Sequence, residues 1–347
     1  MVFLYFIAIF YYFRYTIYMK TLLKLQEKLG DSVQENIDLS QYSTFKLGGP
    51  AKYFFVAKTS DDITKACRIA KKLKLEIFLL AGGSNLLIAD NGFDGLVIKA
   101  ENRNIELINE NNIKTEGGVV WNEFVNFAKE NSFTGIEWGA GIPGTIGGAV
   151  RGNAGAFGQS VHQIIKTVEV LNSANLEIKN FQNSECEFDY RDSVFKQNKN
   201  LIILSSIFEL QKGDKQKIAD LIKKNLQYRD STQPCLPSAG CIFKNIIVTD
   251  EILAKLSSFA KAAEDKKDIE KKIKGGKIGS AFIIDKAGLK GYVIGGVKVS
   301  DEHANFIVKI SDDAKSDHVL QLISYIKQQV RDNYGIQLQE EVQYVGF

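Results

Sequence analysis

The chain has 347 residues, which is long enough for two or three domains that each bury their own core. Hydrophobic residues make up 45% of it and charged residues 24%, as in ordinary globular proteins, and the 44 basic and 41 acidic side chains leave a net charge of +3. This balance argues against a protein that binds nucleic acid through a basic surface.

Residues 1–18 are aromatic and apolar and differ from the rest of the sequence. The run before Arg14 is too short for a comfortable membrane span, and it lacks the basic start and the small-residue cleavage site of a signal peptide. Met19 begins a segment typical of the start of a soluble protein. We interpret 1–18 as an upstream extension or the product of a misplaced start codon, with a weak membrane anchor as the alternative. We expect a cytoplasmic monomer without stable membrane insertion.

Residues 19–212 alternate strand patterns with helical ones. Strands are predicted at 52–57, 96–100 and 201–210, helices at 62–73 and 122–130, and hairpin turns near 109–112 and 172–175. A β-α-β order followed by hairpins favours an α+β region of two lobes, at about 40–100 and 101–212.

Residues 213–347 are predicted to form a further, smaller α/β domain. Its amphipathic helices are expected at 214–228 and 318–334, and the charged stretch at about 246–278 is interpreted as a solvated helical insertion. The last residues, from Ile336 onwards, have the alternating pattern of a strand.

Cysteines and histidines are too few and too scattered to predict a metal site. None of the four cysteines forms a CxxC pair, and none of the three histidines lies near a cysteine in sequence. The size of the chain also argues against a disulfide scaffold. The motif PSAGCIFKN (237–245) by itself leaves Cys241 open as a buried small side chain, a metal ligand or a group used in chemistry.

In two glycine-rich stretches, AGGSNLL (81–87) and GIPGTIGGAVRGNAGAFG (141–158), we expect the backbone to approach a ligand or another part of the protein closely. Successive backbone N–H groups in such loops bind a diphosphate without lysine. Neither stretch is a GxGxxG or GxxxxGK[ST] motif, and tight turns explain most single glycine loops. Two long loops that are poor in charge favour a large cofactor with a neutral polycyclic part and a phosphate part.

Three polar side chains are weaker candidates on local pattern alone. Arg191 in YRDS could grip a carboxylate or phosphate with two hydrogen bonds, but a surface salt bridge with Asp192 is the stronger interpretation of this motif. Glu341 is by default a solvated carboxylate, and His303 is by default a capped turn histidine.

Eight blocks of the sequence together resemble the UDP-N-acetylenolpyruvoylglucosamine reductases, the MurB family of flavoenzymes in peptidoglycan precursor synthesis. In chain order the blocks are STFKLGGPA (43–51), AGGSNLL (81–87), GIPGTIGGAVRGNAGAFG (141–158), FDYRDSVFK (188–196), PSAGCIFKN (237–245), KAGLKGYVIGG (286–296), SDEHANFIV (300–308) and LQEEVQYVG (338–346). The resemblance covers essentially everything after Ser40. It implies a two-lobed FAD-binding domain of the vanillyl-alcohol-oxidase (PCMH) type at 19–212, followed by a smaller α/β substrate-binding domain at 213–347. The C-terminal blocks suggest the type II branch.

The resemblance also implies FAD as cofactor, NADPH as reductant and the enolpyruvyl ether of UDP-N-acetylglucosamine as substrate. The residues it places at FAD are Ala81, Gly82, Gly83, Ser84, Asn85, Gly144, Thr145, Gly147, Gly148, Asn153 and Gly155. Those it places at the substrate are Tyr190, Arg229, Asn245 and His303.

The implied reaction passes a hydride from flavin N5 to C3 of the enolpyruvyl group and a proton to C2. Arg191 matches the family's arginine that polarises the substrate carboxylate. Glu341 matches the C-terminal glutamate that assists the developing enol, which would require a protonated carboxyl.

Cys241 departs from the family, which usually has serine as the proton donor in this motif. A thiol with an ordinary pKa of about 8.5 is mostly protonated at neutral pH and is a stronger acid than a hydroxyl. A thiolate beside a flavin is also open to oxidation. We expect Cys241 to be the general acid. The alternatives are a packing role with loss of activity, which would leave a silent FAD- or nucleotide-binding protein, and another FAD oxidoreductase of the same fold.

Overall fold

The structure, a computed structural model, describes residues 20–259 and 263–347, without the side chains of 257–267. The predicted N-terminal extension therefore lies outside the described residues. None of the helices within the described ranges combines the length and the apolarity needed to cross a bilayer.

The first lobe is a four-stranded sheet covered by two helices. Its elements are helix α1 (20–29), β1 (Gln34–Asp38), β2 (Pro50–Ala57), α2 (Ser60–Leu73), β3 (Ile77–Leu80), β4 (Leu86–Ile88) and β5 (Phe93–Ala100). The sheet order is β1-β2-β5-β3, with β2, β5 and β3 parallel. Helix α2 begins at a capping box between Thr59 and Asp62, and its apolar stripe, including Cys67, is buried against the sheet, as its spacing predicts.

The second lobe is a five-stranded antiparallel sheet with order β12-β11-β13-β7-β6. Its elements are β6 (Ile105–Leu107), β7 (Asn112–Glu116), α3 (Trp121–Glu130), β8 (Phe133–Thr134), α4 (Ile146–Arg151), β9 (Gly155–Ala156), β10 (Gln159–Ser160), β11 (Ile165–Asn172), β12 (Glu177–Gln182), α5 (Val194–Gln197), β13 (Leu201–Glu209), β14 (Gln211–Lys212) and α6 (Lys215–Thr232). Both predicted hairpins are present, as β6–β7 and β11–β12. Buried aromatic rings, among them Trp121, Phe124 and Phe208, fill the space between sheet and helices.

The C-terminal region has its own four-stranded sheet, with order β15-β20-β19-β18. Its elements are β15 (Ser238–Cys241), β16 (Ile246–Ile247), α7 (Asp250–Phe259), α8 (Ala263–Lys272), β17 (Lys277–Ile278), α9 (Ser280–Lys286), β18 (Val293–Ile294), β19 (Val297–Val299), β20 (Phe306–Lys309), α10 (Ser316–Tyr334) and β21 (Gln343–Val345). Helix α10 ends at Gly335, which has a left-handed φ of 62°.

The charged stretch predicted as a solvated insertion is a helical hairpin on a two-stranded stem. Strands β16 and β17 pair antiparallel, and helices α7 and α8 lie between them. The hairpin is not wholly solvated, because Leu256 and Ile269 are buried in the C-terminal core. Each of these apolar residues attaches a highly charged helix to the core. The mean composition of the segment does not reveal such single buried residues.

Helix α6 lies against the second lobe, whereas the sequence placed it in the C-terminal domain. Its buried residues Ile218 and Ile222 join the aromatic core around Trp121. An amphipathic pattern shows that a helix has an apolar face but does not show which core that face meets. The polypeptide passes to the C-terminal sheet only after Thr232.

The end of the chain returns to the first lobe. Only Gln343–Val345 form a strand, shorter than the pattern from Ile336 predicts, and this strand pairs in parallel with β4. Ile336, Leu338 and Val342 are buried in the C-terminal core instead. Strand β21 therefore joins regions more than 250 residues apart in sequence, and it brings the residue two positions before it, Glu341, to the junction.

Candidate active site

The two glycine-rich loops meet between the lobes. A Cβ built on Gly82 would lie 2.5 Å from the Cα of Gly144, and one built on Gly83 would lie 2.0 Å from the carbonyl oxygen of Tyr42. Such distances exclude any side chain. The Ser84 hydroxyl completes the contact by donating to the carbonyl of Pro143 at 3.1 Å.

These loops carry backbone N–H groups that the described part of the protein leaves without a hydrogen-bond acceptor. They belong to residues 82–85 on the first loop and to 144 and 145 on the second. Unpaired N–H groups in close array bind phosphate oxygens. The residues present thus fit the diphosphate of a dinucleotide cofactor, and the tight cradle explains why glycine is required there.

Gly82→Ala should weaken FAD binding because the added methyl group must push the two loops apart. We expect a loss of about 30-fold or more, equivalent to about 2 kcal/mol. Gly279→Ala is the matched control, since Gly279 lies outside both glycine-rich loops and its Cβ would meet nothing closer than 3.9 Å. Fluorescence titration of the apoprotein with FAD measures both. Equal affinities for FAD in the two variants would contradict the cradle.

Other residues that are predicted to bind FAD form hydrogen bonds within the protein. Thr145 caps helix α4 through its hydroxyl, which accepts from the N–H of Gly148 at 3.5 Å, and the N–H of Gly147 donates to Gly117 at 2.8 Å. Ala81 accepts a hydrogen bond from the Lys99 ammonium at 2.8 Å. Contact of these residues with FAD stays a prediction.

Asn153 holds the second glycine loop against the segment that contains Arg191. Its amide nitrogen donates to the carbonyl of Asp189 at 2.8 Å, and its amide oxygen accepts from the N–H of His162 at 3.1 Å. Both ends of the side chain are therefore occupied by protein. Asn153 is itself in the left-handed region, with a φ of 41°.

Arg191 and Glu341 form an ion pair at the centre of the site. The guanidinium Nε lies 2.8 Å from the carboxylate Oε1, and the two side chains are only 25% and 17% exposed. Arg191 Nη2 also donates to the carbonyl of Gly155 at 2.8 Å. Among the described residues, Nη1 has no hydrogen-bond partner. One edge of the guanidinium is thus fixed by protein and the other is available to a ligand.

The Arg191 backbone is strained. Its φ of 55° lies in the left-handed region, which costs a non-glycine residue about 1–3 kcal/mol. Strain of this kind persists only where surrounding contacts hold it, and it is concentrated at functional sites. The tight turn formed by residues 189–192, closed by reciprocal 3.1 Å backbone bonds between Asp189 and Asp192, imposes it here.

Glu341 is positioned by its backbone. Its N–H donates to the carbonyl of Ile242 at 2.7 Å, and its own carbonyl accepts from the Asn85 amide at 3.1 Å. The first contact places Glu341 beside the strand of Cys241, and the second ties it to the first glycine loop. The Glu341 carboxylate thus faces the Arg191 guanidinium.

Cys241 is a free, half-buried thiol at the end of β15. Burial raises its pKa to about 12; the Glu341 carboxylate acts in the same direction, while Arg191, the Asn305 side chain and Arg229 oppose the rise. The thiol is therefore protonated at neutral pH. These charges also show that Cys241 shares one electrostatic environment with both members of the ion pair.

Iodoacetamide at about pH 8 should modify the exposed Cys235 well before Cys241. A thiol with a pKa of about 12 is almost entirely protonated at that pH, so Cys241 should react roughly 1,000-fold more slowly than a thiol of ordinary pKa. Its rate should rise about tenfold per pH unit up to about pH 10, because the thiolate fraction does. Peptide mass spectrometry would measure both rates, and a fast reaction at Cys241 with a plateau near pH 9 would contradict the raised pKa.

Two predicted substrate residues, Tyr190 and Asn245, contact each other. The Tyr190 hydroxyl accepts the backbone N–H of Asn245 at 3.2 Å, and the Lys277 ammonium lies 4.6 Å from the centre of the tyrosine ring. Asn245 directly precedes strand β16, and Lys277 belongs to strand β17, so both contacts come from the base of the helical hairpin. Burial raises the pKa of Tyr190, so its hydroxyl stays protonated. The Asn245 side chain is turned to the N–H of Ser280, at 3.4 Å.

The other two predicted substrate residues, Arg229 and His303, have contacts within the protein. The Arg229 guanidinium donates to the carbonyls of Ala140 and Trp138, at 2.8 and 3.3 Å. His303 packs edge-on against Phe306, the cross-strand partner of Cys241. Its Nδ1 is buried without a hydrogen-bond partner in the described residues, and burial lowers its pKa, so the ring is neutral.

Sequence reasoning missed two residues that support the site. Lys196 donates to the carbonyl of Arg191 at 2.8 Å, and Asn305 bonds both backbone groups of Phe243, at 2.8 and 2.9 Å, in the segment that follows Cys241. Both lie inside the quoted blocks FDYRDSVFK and SDEHANFIV. Lys196 and Asn305 could have been found from the sequence because they lie only a few residues from Arg191 and His303.

Two family models match successive parts of the chain. A family model described as "FAD binding domain" matches residues 51–181, and one described as "UDP-N-acetylenolpyruvoylglucosamine reductase, C-terminal domain" matches residues 231–345. The UDP-N-acetylenolpyruvoylglucosamine reductase of Anoxybacillus flavithermus is 36% identical over 324 residues, which cover 93% of this chain and 97% of that relative. The chain belongs to the UDP-N-acetylenolpyruvoylglucosamine reductase family.

Further members of the MurB family extend the match over nearly the whole chain. The Bacillus subtilis reductase is 31% identical over 330 residues, which cover 94% of this chain and 98% of that protein. The crystal structure of MurB from Thermus caldophilus gives a TM-score of 0.69 at 26% identity and covers 90% of this chain and 98% of that one.

The family assignment confirms the predicted FAD-binding domain followed by the MurB C-terminal domain. It also confirms the predicted activity and cofactors: the protein is an FAD-dependent reductase of peptidoglycan precursor synthesis that uses NADPH. The individual site residues remain predictions.

Proposed function

We propose that Arg191, Cys241 and Glu341 carry out the reduction of enolpyruvyl-UDP-N-acetylglucosamine to UDP-N-acetylmuramate. The observation that carries this is the 2.8 Å Arg191–Glu341 pair, assembled where both lobes meet the C-terminal region and sharing its electrostatic environment with the Cys241 thiol. FAD, when bound to the glycine loops, would accept a hydride from NADPH and deliver it to C3 of the enolpyruvyl group.

Arg191 stabilises the charge that develops on the substrate. Addition of hydride at C3 leaves negative charge at C2 that spreads into the neighbouring carboxylate. Nη1 is the Arg191 donor without a partner among the described residues, and it binds that carboxylate in a partly dehydrated site. Glu341 and Gly155 hold the opposite edge, so the arginine loses little freedom when substrate binds.

Cys241 supplies the proton. Its Sγ–H is kept protonated by burial, and it delivers the proton to C2 of the substrate. The thiolate left behind lies near the positive charges of Arg191 and Arg229, which lower its energy. A proton from solvent then restores the thiol, because Cys241 is half-buried and not fully enclosed.

Tyr190, Arg229, Asn245 and His303 bind the rest of the substrate in this proposal, and Ala81 to Asn85 with the second glycine loop hold FAD. Activity as a monomer is part of this proposal. The nucleotide-linked substrate and NADPH support a cytoplasmic location.

The test is NADPH oxidation by purified protein with and without enolpyruvyl-UDP-N-acetylglucosamine. The expected preparation is yellow from bound FAD, and NADPH consumption depends on that substrate. NADPH consumption that is equal without it, driven by oxygen, would indicate another oxidoreductase reaction. Bound FAD with no NADPH consumption would indicate a silent binding protein.

A further inference from the structure

Lys196 is a half-buried cation that the proposed steps leave unused. It belongs to the short helix α5, which Ser193 caps, and its ammonium reaches back to the preceding turn. There Nζ donates to the carbonyl oxygen of Arg191 at 2.8 Å. The bond therefore acts on the main chain of the residue whose side chain pairs with Glu341.

Burial of this ammonium is unfavourable unless a contact offsets it. Burial lowers the pKa of Lys196, and the positive charges of Lys244 and Arg151 act in the same direction, while Glu341 and Asp192 oppose them. No carboxylate within the described residues comes close enough to form an ion pair with it. The hydrogen bond from the half-buried Lys196 ammonium therefore indicates that the position of the Arg191 carbonyl matters.

The Arg191 carbonyl is such a position. With a φ of 55°, Arg191 is outside the conformations that non-glycine residues prefer. Relaxation to the ordinary region would swing the carbonyl away from Lys196 and redirect the Cα–Cβ bond. The guanidinium would then lose its 2.8 Å contacts to Glu341 and to the Gly155 carbonyl.

We propose that Lys196 is a positioning residue of the reductase, which holds Arg191 in its left-handed conformation so that Nη1 faces the substrate carboxylate. The inference rests on the role proposed for Arg191. It predicts a specific defect: the step that needs Arg191 suffers, while transfer of hydride from NADPH to FAD does not.

Lys196→Met removes the donor and keeps most of the side-chain volume. By stopped-flow absorbance of the holoenzyme, we expect oxidation of the reduced flavin by enolpyruvyl-UDP-N-acetylglucosamine to slow by about 100-fold, the usual effect of a misplacement near 1 Å. Reduction by NADPH should change less than about twofold, and Lys196→Arg, which retains a donor, should recover part of the loss. Lys212→Met is the control, because Lys212 also donates to a backbone carbonyl at 2.8 Å, that of Asn131, outside the site.

Two further measurements separate positioning from simple support of the fold. Thermal unfolding and FAD content of Lys196→Met should match those of Lys212→Met. The double variant Arg191→Met/Lys196→Met should be no slower than Arg191→Met alone, because both changes remove one function. Additive losses, or equal slowing of both half-reactions, would overturn the positioning role.

Failure of this inference is distinguishable from failure of the proposed mechanism. If Arg191→Met slows flavin oxidation and Lys196→Met does not, only the role of Lys196 is wrong. If Arg191→Met itself leaves flavin oxidation unchanged, the proposed role of Arg191 is wrong. If Lys196→Met does not fold, Lys196→Gln replaces it in the same two half-reactions, and an unchanged rate of flavin oxidation by substrate would overturn the proposal.

Discussion

Replacing Cys241 by alanine is expected to stop turnover with enolpyruvyl-UDP-N-acetylglucosamine while NADPH still reduces the bound flavin. Alanine cannot deliver the proton to C2, and general acid catalysis typically contributes about 10²–10⁴-fold. We expect flavin oxidation by substrate to slow by about 10³-fold, with reduction by NADPH unchanged. Rapid-mixing absorbance of the flavin follows each half-reaction separately.

Cys241→Ser and Cys235→Ala are the controls for this result. Serine places a hydroxyl where the family usually has one, so Cys241→Ser should retain activity, whereas Cys235 is exposed and its removal should change nothing. Survival of both half-reactions in Cys241→Ala would exclude Cys241 as the general acid. Loss of both would indicate a packing role.

The raised pKa of Cys241 also predicts how Cys241 contributes to the pH dependence of kcat. Because the thiol loses its proton only near pH 12, rising pH removes no donor between about pH 7 and 10. An alkaline fall in kcat within that range would therefore come from another group. The variant Cys241→Ser should show the same alkaline limb as the original enzyme.

The sequence predicted what depends on local pattern. Helix α2, the β11–β12 hairpin and the two glycine loops follow from spacing and turn chemistry, and their residues lie where periodicity or glycine content placed them. The eight motif blocks supplied the function, since each carries several residues whose order and identity together are specific.

Contacts between residues far apart in the chain could not be predicted from the sequence. The contact of Asn85 with Glu341 spans 256 positions, and nothing in either local pattern specifies it. Helix α6 shows the same limit, because its apolar spacing does not specify which core it meets, and its buried residues join the core of the second lobe. The ion pair of Arg191 is likewise absent from the YRDS motif, where Asp192 was the nearer carboxylate in sequence but Glu341 is the partner in space.

Arg191→Met is expected to slow flavin oxidation by substrate by about 10²–10³-fold, the loss typical of removing a donor to a developing anion. The change also leaves Glu341, only 17% exposed, without its cation. Substrate binding should weaken less than the rate falls, because the charge is greatest in the transition state. Arg103→Met is the control, since its carboxylate contacts, at 3.9 and 4.0 Å, are long and half exposed.

Arg191→Lys tests whether the reaction needs only a positive charge at residue 191 or also the planar geometry of the guanidinium. A lysine keeps the positive charge but cannot hold Glu341 and the Gly155 carbonyl with one edge of a planar group while binding a substrate carboxylate with another. If geometry matters as the 2.8 Å contacts indicate, Arg191→Lys should be nearly as slow as Arg191→Met. Glu341→Gln, which can still accept from Nε, should then be the milder variant of the pair. The reverse order, with Arg191→Lys active and Glu341→Gln inactive, would show that Glu341 acts on the substrate and not through Arg191.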